Sequence, residues 1–287
     1  MKKSISMCLV ALLLVSLLAG CSSADFDKAK GIKVISREDG SGTRGAFIEL
    51  FGIEVKGDDG TRKDMTTKEA VIAKQTDVMI TNITNDKYAI GYVSLGSLND
   101  SVTAVSIEGV TATQANVMNG SYPIVRPFNI ATQGQASGLA EDFILFITSA
   151  EGQEVIAKSY IGSVDNPTPY SGTKPAGTLI IAGSSSVAPI MEKLIEAYAL
   201  INPAATLQLQ ASDSSAGLIA AREGICDIAM SSRALNASES QELVSIQIAL
   251  DGIAVIVHNE NPASALTKDQ VKAIFTGAEA TWAALVS

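Results

Sequence analysis

The sequence SREDGSGTR at residues 36–44 decides how the fold of this chain is interpreted. It follows an apolar run at 32–35 and leads into a helical pattern at 45–51, which predicts a strand, a turn and a helix in succession. Such a helix start carries unpaired backbone N–H groups and partial positive charge, and both suit an oxyanion. Arg37 can pair with two oxygens of a tetrahedral ion at once, and Asp39 is close enough in sequence to hold its guanidinium. The stretch therefore favours an anion-binding turn, with a capped surface loop carrying an Arg–Asp pair as the alternative.

The composition of the chain limits its size class and its partners. It has 287 residues, of which 47% are hydrophobic and 18% charged, enough for one large or two medium domains. The net charge of −9 argues against general binding to nucleic acid or to an anionic membrane surface. An acidic chain that binds an anion must therefore do so with local N–H groups and one or two fixed arginines.

The first thirty residues have the pattern of a targeting segment. A basic start, an apolar run at 8–18 that is short for a membrane span, and small residues directly before Cys21 resemble a bacterial lipoprotein signal. We therefore predict a signal peptide at 1–20, a tether at 21–30 and a lipid on Cys21, which would hold an extracytoplasmic protein at the cell membrane by the lipid alone. An ordinary signal peptide cut nearby is the alternative. Cys226 then remains as a lone thiol, predicted to be a buried core residue because one thiol forms neither an internal disulfide nor a Cys-rich metal site.

Three more hydroxyl-rich turns follow strand-like runs in the second half of the chain. The first, at 183–186, precedes an apolar stripe of helical spacing at 187–198, the second lies at 212–217 and the third at 231–233. Parallel α/β sheets bind ligands outside the carboxyl ends of their strands, where such turns collect. Four turns of this kind, two of them with arginine, point to one shared anion site more strongly than any of them alone.

The middle of the chain has a weaker pattern. Residues 66–74 are predicted as a short helix and 89–95 as a buried strand. Residues 122–128 contain two prolines and are predicted to be extended. The stretch 163–177 is rich in proline and glycine, has almost no aliphatic residues, and is predicted as a linker.

Motifs spread along the chain resemble successive landmarks of the PstS family, the extracytoplasmic phosphate-binding proteins of bacterial ABC importers. They lie at residues 36–43, 90–93, 122–127, 183–189, 213–217, 228–233, 248–255 and 274–282. Their order departs from the usual order of the family, because the half from about 32 to 161 comes before the half from about 178 to 282. We interpret this as a circular permutation in which the linker at 163–177 joins the family's usual ends, and a slice of a tandem or misassembled gene is the alternative.

The resemblance implies an α/β, two-lobed periplasmic-binding-protein (Venus flytrap) fold, circularly permuted, in which each lobe is a mainly parallel sheet flanked by helices. One lobe would combine 30–122 with 255–287 and the other 131–165 with 178–250, with crossing segments at 122–128 and 248–257 as the hinge. Phosphate would lie between the lobes, so that binding closes them and a transporter distinguishes loaded from empty protein. By matched position, the resemblance assigns the ligand contacts to Arg37, Ser41, Gly42, Thr43, Ser185, Ser186, the Val187 N–H and Ser214.

One position departs from the family in a way that bears on selectivity. Many members carry an acid there that accepts a proton from hydrogen phosphate and repels sulfate, whereas this chain has Ser232 followed by Arg233. Asp213 and Asp251 are the candidate replacements, since a site built to accept a ligand proton rejects an analogue that lacks it. The predicted phosphate site therefore also includes Ser232, Arg233 and Asp251, and oxyanion binding follows more directly from the residues than phosphate specificity does.

No catalytic or metal-binding pattern competes with ligand binding. The single histidine, His258, lies in a strand-like run, no Gly-Lys-Ser/Thr motif follows a strand, and His and Cys are not clustered. We therefore predict a monomeric, cofactor-free binding protein, not an enzyme, that captures inorganic phosphate and delivers it to an ABC permease and its ATPase. Binding of another, sulfate-like oxyanion, or a sensor or adhesin that uses the same fold, is the alternative.

Overall fold

The computed structural model describes residues 26–57 and 61–286, in which strands and helices alternate along the chain. The strands are β1 Lys33–Arg37, β2 Glu54–Lys56, β3 Arg62–Asp64, β4 Val71–Ala73, β5 Ala89–Ser94, β6 Val102–Ile107, β7 Val125–Gln133, β8 Ile161–Gly162, β9 Gly177–Ser184, β10 Ala205–Ser212, β11 Ile228–Ser231, β12 Leu243–His258 and β13 Ala265–Leu266. The helices are α1 Gly42–Leu50, α2 Thr76–Thr84, α3 Gln114–Met118, α4 Gly138–Thr148, α5 Ala150–Ala157, α6 Ala188–Ile201, α7 Ser214–Arg222, α8 Glu239–Glu242 and α9 Lys268–Thr276, with a 3₁₀ turn at Leu95–Ser97. The predicted signal peptide and lipidation site at Cys21 lie outside the described residues.

Eleven of these strands form a mixed sheet in the order β10-β9-β11-β7-β12-β5-β1-β4, with β6 and β8 also paired to β12 and with β13 paired to β6, while β2 and β3 form a separate antiparallel pair. Pairing is parallel toward both ends of this order, where β9 joins β10 and β11 and β1 joins β4 and β5. The central strands β7 and β12 pair with their neighbours in antiparallel orientation. The predicted α/β class is confirmed, with parallel pairing in each half and antiparallel strands where the halves meet.

Two large hydrophobic clusters divide the described residues into two lobes. The first, here called the first lobe, draws its buried residues from 34–124 and 253–286. The second, called the second lobe, draws them from 128–249 and includes a smaller cluster next to it. Two separated parts of the sequence therefore build the first lobe, and the chain crosses from one lobe to the other near residues 125 and 252.

The long strand β12 carries the chain across this boundary. Its first part, up to Gly252, pairs with β7 of the second lobe, and Ile253 onward pairs with β5 of the first lobe. Residues 248–257 of β12 are almost entirely buried, and seven of them are branched or small apolar residues that are 0% exposed. A continuous apolar run of this kind is typical of a strand covered on both faces, and β12 is such a strand where it passes from one lobe to the other.

Local sequence signals account for the helices that border the site. In α6, Ile190, Met191, Leu194 and Tyr198 recur at helical spacing and are all fully buried. Pro189 lies in the first turn of α6, where a backbone N–H would have no helical hydrogen-bond partner, so the lack of an N–H on proline costs nothing. Among the described residues no helix has the length and hydropathy needed to cross a membrane.

The proline-rich stretch between β8 and β9 is fastened to the second lobe by one buried carboxylate. Asp142 of α4 accepts hydrogen bonds from the hydroxyls of Tyr170 and Tyr198 and from the N–H groups of Thr173 and Lys174. Burial acts to raise the pKa of Asp142, but these hydrogen bonds outweigh burial and hold the pKa below its usual range. The segment predicted as a linker is thus anchored at its centre.

We expect Asp142→Asn to lower the free energy of unfolding at neutral pH by about 1–3 kcal/mol, because it weakens four hydrogen bonds to a buried charge. The folded-state pKa lies below the unfolded value of about 3.9, so the contribution is fully present above that pH and is lost as the pH falls through the folded value. Urea unfolding at pH 7 and pH 3 measures the free energy of unfolding of both proteins. The difference between wild type and Asp142→Asn should therefore be smaller at pH 3 than at pH 7. Glu141→Gln, on the exposed side of the same helix, is the control, and a gap independent of pH would contradict this role.

Candidate functional site

Hydroxyl groups from both lobes are gathered at the boundary between them. The first lobe contributes one residue from the first turn of α1 and one from the start of α2. The second lobe contributes residues from the turn before α6, the start of α7 and the end of β11. All of them are buried. These residues, here called the hydroxyl cluster, are Thr43, Thr76, Ser185, Ser186, Ser214 and Ser232.

The cluster joins groups that are distant in sequence. The hydroxyls of Thr43 and Ser186, 143 residues apart, lie 2.7 Å from each other. The hydroxyl of Thr76 is 3.3 Å from that of Ser185 and 3.4 Å from that of Ser186. Within the second lobe, the Ser214 and Ser232 hydroxyls are 3.3 Å apart. The turns predicted from 36–44, 183–186, 212–217 and 231–233 therefore meet at one place.

The guanidinium of Arg37 lies at one side of the cluster. Arg37 is the last residue of β1 and is only 2% exposed. Its Nη2 donates to the Ser185 hydroxyl at 3.0 Å, and its Nη1 lies 3.4 Å from the Thr76 hydroxyl. Its Nε and Nη2 donate to the two carboxylate oxygens of Glu38, at 2.9 and 2.7 Å. This arginine is fixed by a forked ion pair in its own lobe and reaches a serine of the other.

The prediction that Asp39 holds Arg37 is wrong. Asp39 instead pairs with Arg44 of α1, at 2.8 Å, and its side chain is 96% exposed. The turn after β1 is closed by a hydrogen bond from the Ser41 N–H to the Glu38 carbonyl, and this turn directs Asp39 outward. Glu38, one residue earlier, is the carboxylate that turns back to the guanidinium.

A second buried arginine, Arg126, contacts the cluster from the strands that cross between the lobes. Its Nη1 donates to the Thr43 hydroxyl at 2.6 Å and to the Ser232 carbonyl at 3.2 Å, so it contacts both lobes. Its Nε and Nη2 donate to one oxygen of Asp251 at 3.1 and 3.0 Å. The other oxygen of Asp251 accepts from the Ser94 hydroxyl at 2.9 Å. Arg126 and Asp251 face each other in the register of β7 and β12, at the point where β12 changes lobes.

Burial acts on both members of this ion pair. It lowers the pKa of Arg126, while the Asp251 carboxylate opposes that change. It raises the pKa of Asp251, and there Arg126 and Ser94 act in the opposite direction. A guanidinium stays protonated in proteins, so the pair remains ionic, and Arg126 also lies 5.1 Å from the centre of the Phe128 ring. An ion pair is therefore held where the chain crosses between the lobes, next to the hydroxyl cluster.

Four predicted site residues occupy other roles in this structure. The Ser41 hydroxyl caps α1 by accepting from the Arg44 N–H at 3.3 Å, and the Val187 N–H donates to the Ser184 carbonyl at 3.0 Å. Asp251 lies behind Arg126, with both carboxylate oxygens occupied as described above. The Arg233 guanidinium forms a forked pair with Glu239.

Arg233 borders an open cleft next to the cluster. This cleft of about 750 Å³ lies between α1 of the first lobe and residues 233–237 of the second, and Arg126 also contributes to its wall. Glu49, Glu54 and Arg62 line its other side. Arg126 is the lining residue of this cleft that also contacts the hydroxyl cluster, through Thr43, whereas Arg233 lines the cleft alone.

Arg126 and Thr76 contact the hydroxyl cluster or belong to it, and neither was predicted from the sequence. Arg126 offered one signal, a charged side chain between apolar residues in an extended segment that was already predicted to cross between lobes. Thr76 offered none, because its stretch was predicted to lie just beyond a helix at 66–74. The structure instead places β4 at Val71–Ala73, in parallel pairing with β1, and starts α2 at Thr76.

The lack of a side chain at Gly42 permits the close approach of the lobes. A Cβ atom at this position would overlap the Ser214 hydroxyl and lie 2.7 Å from the Ser232 hydroxyl. We therefore expect Gly42→Ala to weaken binding of the anion by about tenfold or more, equivalent to about 1.4 kcal/mol, because the lobes can no longer close fully.

A matched control for Gly42→Ala lies in the same helix. A Cβ at Gly45 would meet its nearest neighbour, Cδ of Arg233, at an ordinary 3.6 Å, so Gly45→Ala should bind as wild type does. Isothermal titration of both variants separates the effect of closure from that of helix propensity. Equal affinity of Gly42→Ala and Gly45→Ala would show that closure does not bring Gly42 against the second lobe.

The site consists of hydroxyl and guanidinium groups, which are hydrogen-bond donors. Within residues 26–57 and 61–286, no group of three or more His, Cys, Asp or Glu side chains is positioned to hold a metal ion. His258 is the last residue of β12, and its Nδ1 accepts from the Glu260 N–H at 3.0 Å. Buried guanidinium and hydroxyl groups in this arrangement can bind an oxyanion by charge-assisted hydrogen bonds.

The chain is similar to a known protein family, to relatives of known name and to a solved structure. The family described as a PBP superfamily domain matches residues 22–151 and 168–286. The phosphate-binding protein PstS 2 of Streptococcus agalactiae is 46% identical over 274 residues, which cover 94% of each chain. The crystal structure of a phosphate ABC transporter, phosphate-binding protein from Streptococcus pneumoniae has a TM-score of 0.70 and 44% identity, and covers 89% of this chain and 99% of that one. The phosphate-binding protein PstS of Bacillus subtilis is 34% identical over 141 residues, 48% of this chain and 44% of its own.

Proposed function

The chain belongs to the PstS phosphate-binding proteins of the PBP superfamily, and we propose that it captures inorganic phosphate in the boundary between its two lobes for an ABC importer. Its relatives include a phosphate-binding protein and the phosphate-binding protein of a phosphate ABC transporter, which supports this proposal. The single observation that carries it is the hydroxyl cluster, in which Thr43 and Ser186 of opposite lobes lie 2.7 Å apart. Together with Arg37, these groups offer hydrogen-bond donors from two directions.

Phosphate binding at this boundary requires a motion of the lobes. Two hydroxyls 2.7 Å apart leave no room for a tetrahedral ion between them, so Thr43 must separate from Ser186 before the ion enters. The ion then replaces hydroxyl-to-hydroxyl contacts with hydrogen bonds from both lobes. Because β7 and β12 are the strands that cross between the lobes, bending near residues 125 and 252 is the motion that fits.

Binding without chemical conversion is the role that this arrangement supports. A serine nucleophile needs a base within hydrogen-bond distance, and the hydrogen bonds of the cluster serines run to arginine, backbone and other hydroxyl groups. Differential affinity of the ligand for the closed state supplies the free energy of closure. The closed, loaded protein is then the form presented to the permease and ATPase of the importer.

Calorimetric titration of the chain from residue 22 with sodium phosphate tests this function. We expect saturable binding of one phosphate per chain. Chloride at the same ionic strength is the control, because it matches the charge effect of added salt without offering tetrahedral oxygens. Absence of heat and of any thermal stabilisation by phosphate would refute the proposed function, since a ligand that binds only the folded state must raise its melting temperature.

We further propose that the chain is extracytoplasmic and anchored at the cell membrane by a lipid on Cys21, as a monomer. The basic start, the apolar run and the small residues before Cys21 support this. Metabolic labelling with radioactive palmitate should mark the wild-type chain and leave Cys21→Ser unlabelled. Equal labelling of both proteins would show that Cys21 does not carry a lipid.

A circular permutation remains our interpretation of the order of the two halves. The match to the Streptococcus agalactiae relative runs through 94% of both chains, so that protein has the same order, whereas the Bacillus subtilis relative matches only 48% of this chain. A half-length match is what a chain with exchanged halves would give. A chain rebuilt with residues 178–286 ahead of 30–162 should fold and bind phosphate, and failure of the soluble, rebuilt chain to bind would count against permutation.

A further inference from the structure

Arg126 lies behind the hydroxyl cluster and reaches it through one residue, Thr43. Its Nη1 atom donates to the Thr43 hydroxyl at 2.6 Å and to the Ser232 carbonyl at 3.2 Å. Its Nε and Nη2 atoms donate to one oxygen of Asp251. Each nitrogen of this guanidinium therefore has an acceptor in the protein, and the cluster hydroxyl to which Arg126 donates is that of Thr43.

The guanidinium of Arg126 is held in one orientation. It is buried, and the fork from Nε and Nη2 to Asp251 fixes the plane of the group. Asp251 is fixed in turn, because its other oxygen accepts from the Ser94 hydroxyl at 2.9 Å and its backbone pairs with that of Arg126 in the register of β7 and β12. A guanidinium held in this way presents Nη1 to Thr43 from a constant direction.

This contact determines where the Thr43 proton points. A hydroxyl has one proton to donate, and a fixed N–H donor on its oxygen leaves that proton directed toward another acceptor. The hydroxyl of Ser186, on the opposite lobe, lies 2.7 Å from that of Thr43. The proton is therefore directed into the space that the ion enters when the two lobes separate. A cation that donates to the oxygen also polarises the hydroxyl, which strengthens the hydrogen bond that the hydroxyl donates.

From this geometry we propose that Arg126 is a positioning residue for phosphate, which acts through Thr43 by turning the Thr43 proton toward the ion. This inference rests on the proposed function, since it concerns how the same site holds phosphate. The role differs from that of Arg37, whose guanidinium donates to Ser185 of the opposite lobe. If Arg126 only stabilised the fold, its loss would weaken binding whether or not residue 43 has a hydroxyl, so the two roles can be separated by experiment.

Replacing both members of the ion pair removes Arg126 without leaving a buried carboxylate unpaired. Arg126→Met combined with Asp251→Leu, here called the apolar-pair variant, follows the observation that apolar residues can replace a buried ion pair. We expect the apolar-pair variant to bind phosphate about tenfold more weakly than wild type, because the Thr43 hydroxyl loses its fixed direction and its polarisation. Isothermal titration with sodium phosphate measures the affinity, and thermal unfolding shows whether the variant is folded.

Thr43→Val, which removes the hydroxyl and keeps the size of the side chain, completes a double-mutant cycle. By itself it should weaken phosphate binding by about tenfold to a hundredfold, the loss of one hydrogen bond to a charged ligand. Adding the apolar-pair substitutions to Thr43→Val should then weaken binding by no more than about twofold, because no hydroxyl remains to be positioned. Thr43→Ser retains a hydroxyl and should keep the full dependence on Arg126.

Two results would overturn the inference and leave the proposed function intact. One is an apolar-pair variant that is folded and binds phosphate as wild type does. The other is an equal loss with and without the Thr43 hydroxyl, which would show that Arg126 acts independently of Thr43. Failure of the wild-type protein to bind phosphate would overturn the proposed function and the inference with it. If the apolar-pair variant does not fold, Arg126→Lys replaces it in the cycle, since lysine keeps the charge beside Asp251 and lacks the planar fork.

Discussion

Replacing Arg37 with alanine is expected to weaken phosphate binding by about 2–4 kcal/mol, a loss of about 30-fold to 1,000-fold in affinity. The guanidinium is 2% exposed, contacts Ser185 of the opposite lobe, and lies beside the hydroxyls that we propose to bind the ion. Its removal takes away a charge-assisted donor that bulk water cannot replace in a buried place. It also leaves Glu38, with its negative charge, next to an incoming anion.

Isothermal titration with phosphate measures this loss, and a matched control is available. Arg222 forms an ion pair with Glu242 at 2.8 Å, but the two side chains are 38% and 50% exposed and lie outside the hydroxyl cluster. Arg222→Ala also removes one positive charge, but at a position away from the hydroxyl cluster. It should leave the affinity for phosphate unchanged within about twofold, or about 0.4 kcal/mol. If Arg37→Ala folds and binds phosphate as Arg222→Ala does, Arg37 is not part of the site.

Asp251→Ala is expected to reduce the free energy of unfolding by about 3–5 kcal/mol, the largest stability change that the structure predicts. Arg126 and Asp251 have side chains that are 1% and 0% exposed, and the pair joins β7 to β12 where the chain crosses between lobes. Removing the carboxylate leaves a guanidinium buried without its counter-charge. Urea unfolding followed by circular dichroism measures the change.

Two further variants separate an unpaired buried charge from a general loss of contacts. Glu242→Ala breaks an exposed ion pair and should cost less than about 1 kcal/mol. The double variant Arg126→Met, Asp251→Leu removes both charges and should recover much of the stability lost in Asp251→Ala, since apolar residues can replace a buried ion pair. An Asp251→Ala protein as stable as wild type, or a double variant less stable than Asp251→Ala, would show that the buried ion pair does not stabilise the fold in this way.

Local patterns in the sequence were sufficient for the elements that flank the site. The run before Ser36 became β1, the Gly42 region became the start of α1, and the stripe of Ile190, Leu194 and Tyr198 became the buried face of α6. Each of these elements combines a periodic apolar pattern with a cap or a breaker, and such signals act within a few residues. The family resemblance added the two-lobed fold, which the match to the PBP superfamily and to the Streptococcus pneumoniae structure confirms.

The two errors have different causes: one is strand pairing with a distant part of the chain, and the other is a local turn. Residues 66–74 have a helical pattern, but Val71–Ala73 pairs with β1 and forms a strand, because edge pairing to an existing sheet stabilises β-branched residues. Asp39 was expected to hold Arg37. The turn closed by the Ser41 N–H instead directs Asp39 outward, and Glu38 pairs with the Arg37 guanidinium. Whether the remaining predicted contacts bind phosphate stays a prediction that the variants above can test.

By itself, the sequence determined which segments carry hydroxyls and arginines at strand ends, because strand, turn and helix signals are local and each turn lies beside its own strand. Only the tertiary structure decided which of these groups meet. The register between β7 and β12 sets Arg126 opposite Asp251, 125 residues away, and the approach of the lobes brings Thr43 to Ser186. Those contacts depend on how the two lobes share the strand β12. The apolar periodicity within one segment carries no information about which distant segment it will contact.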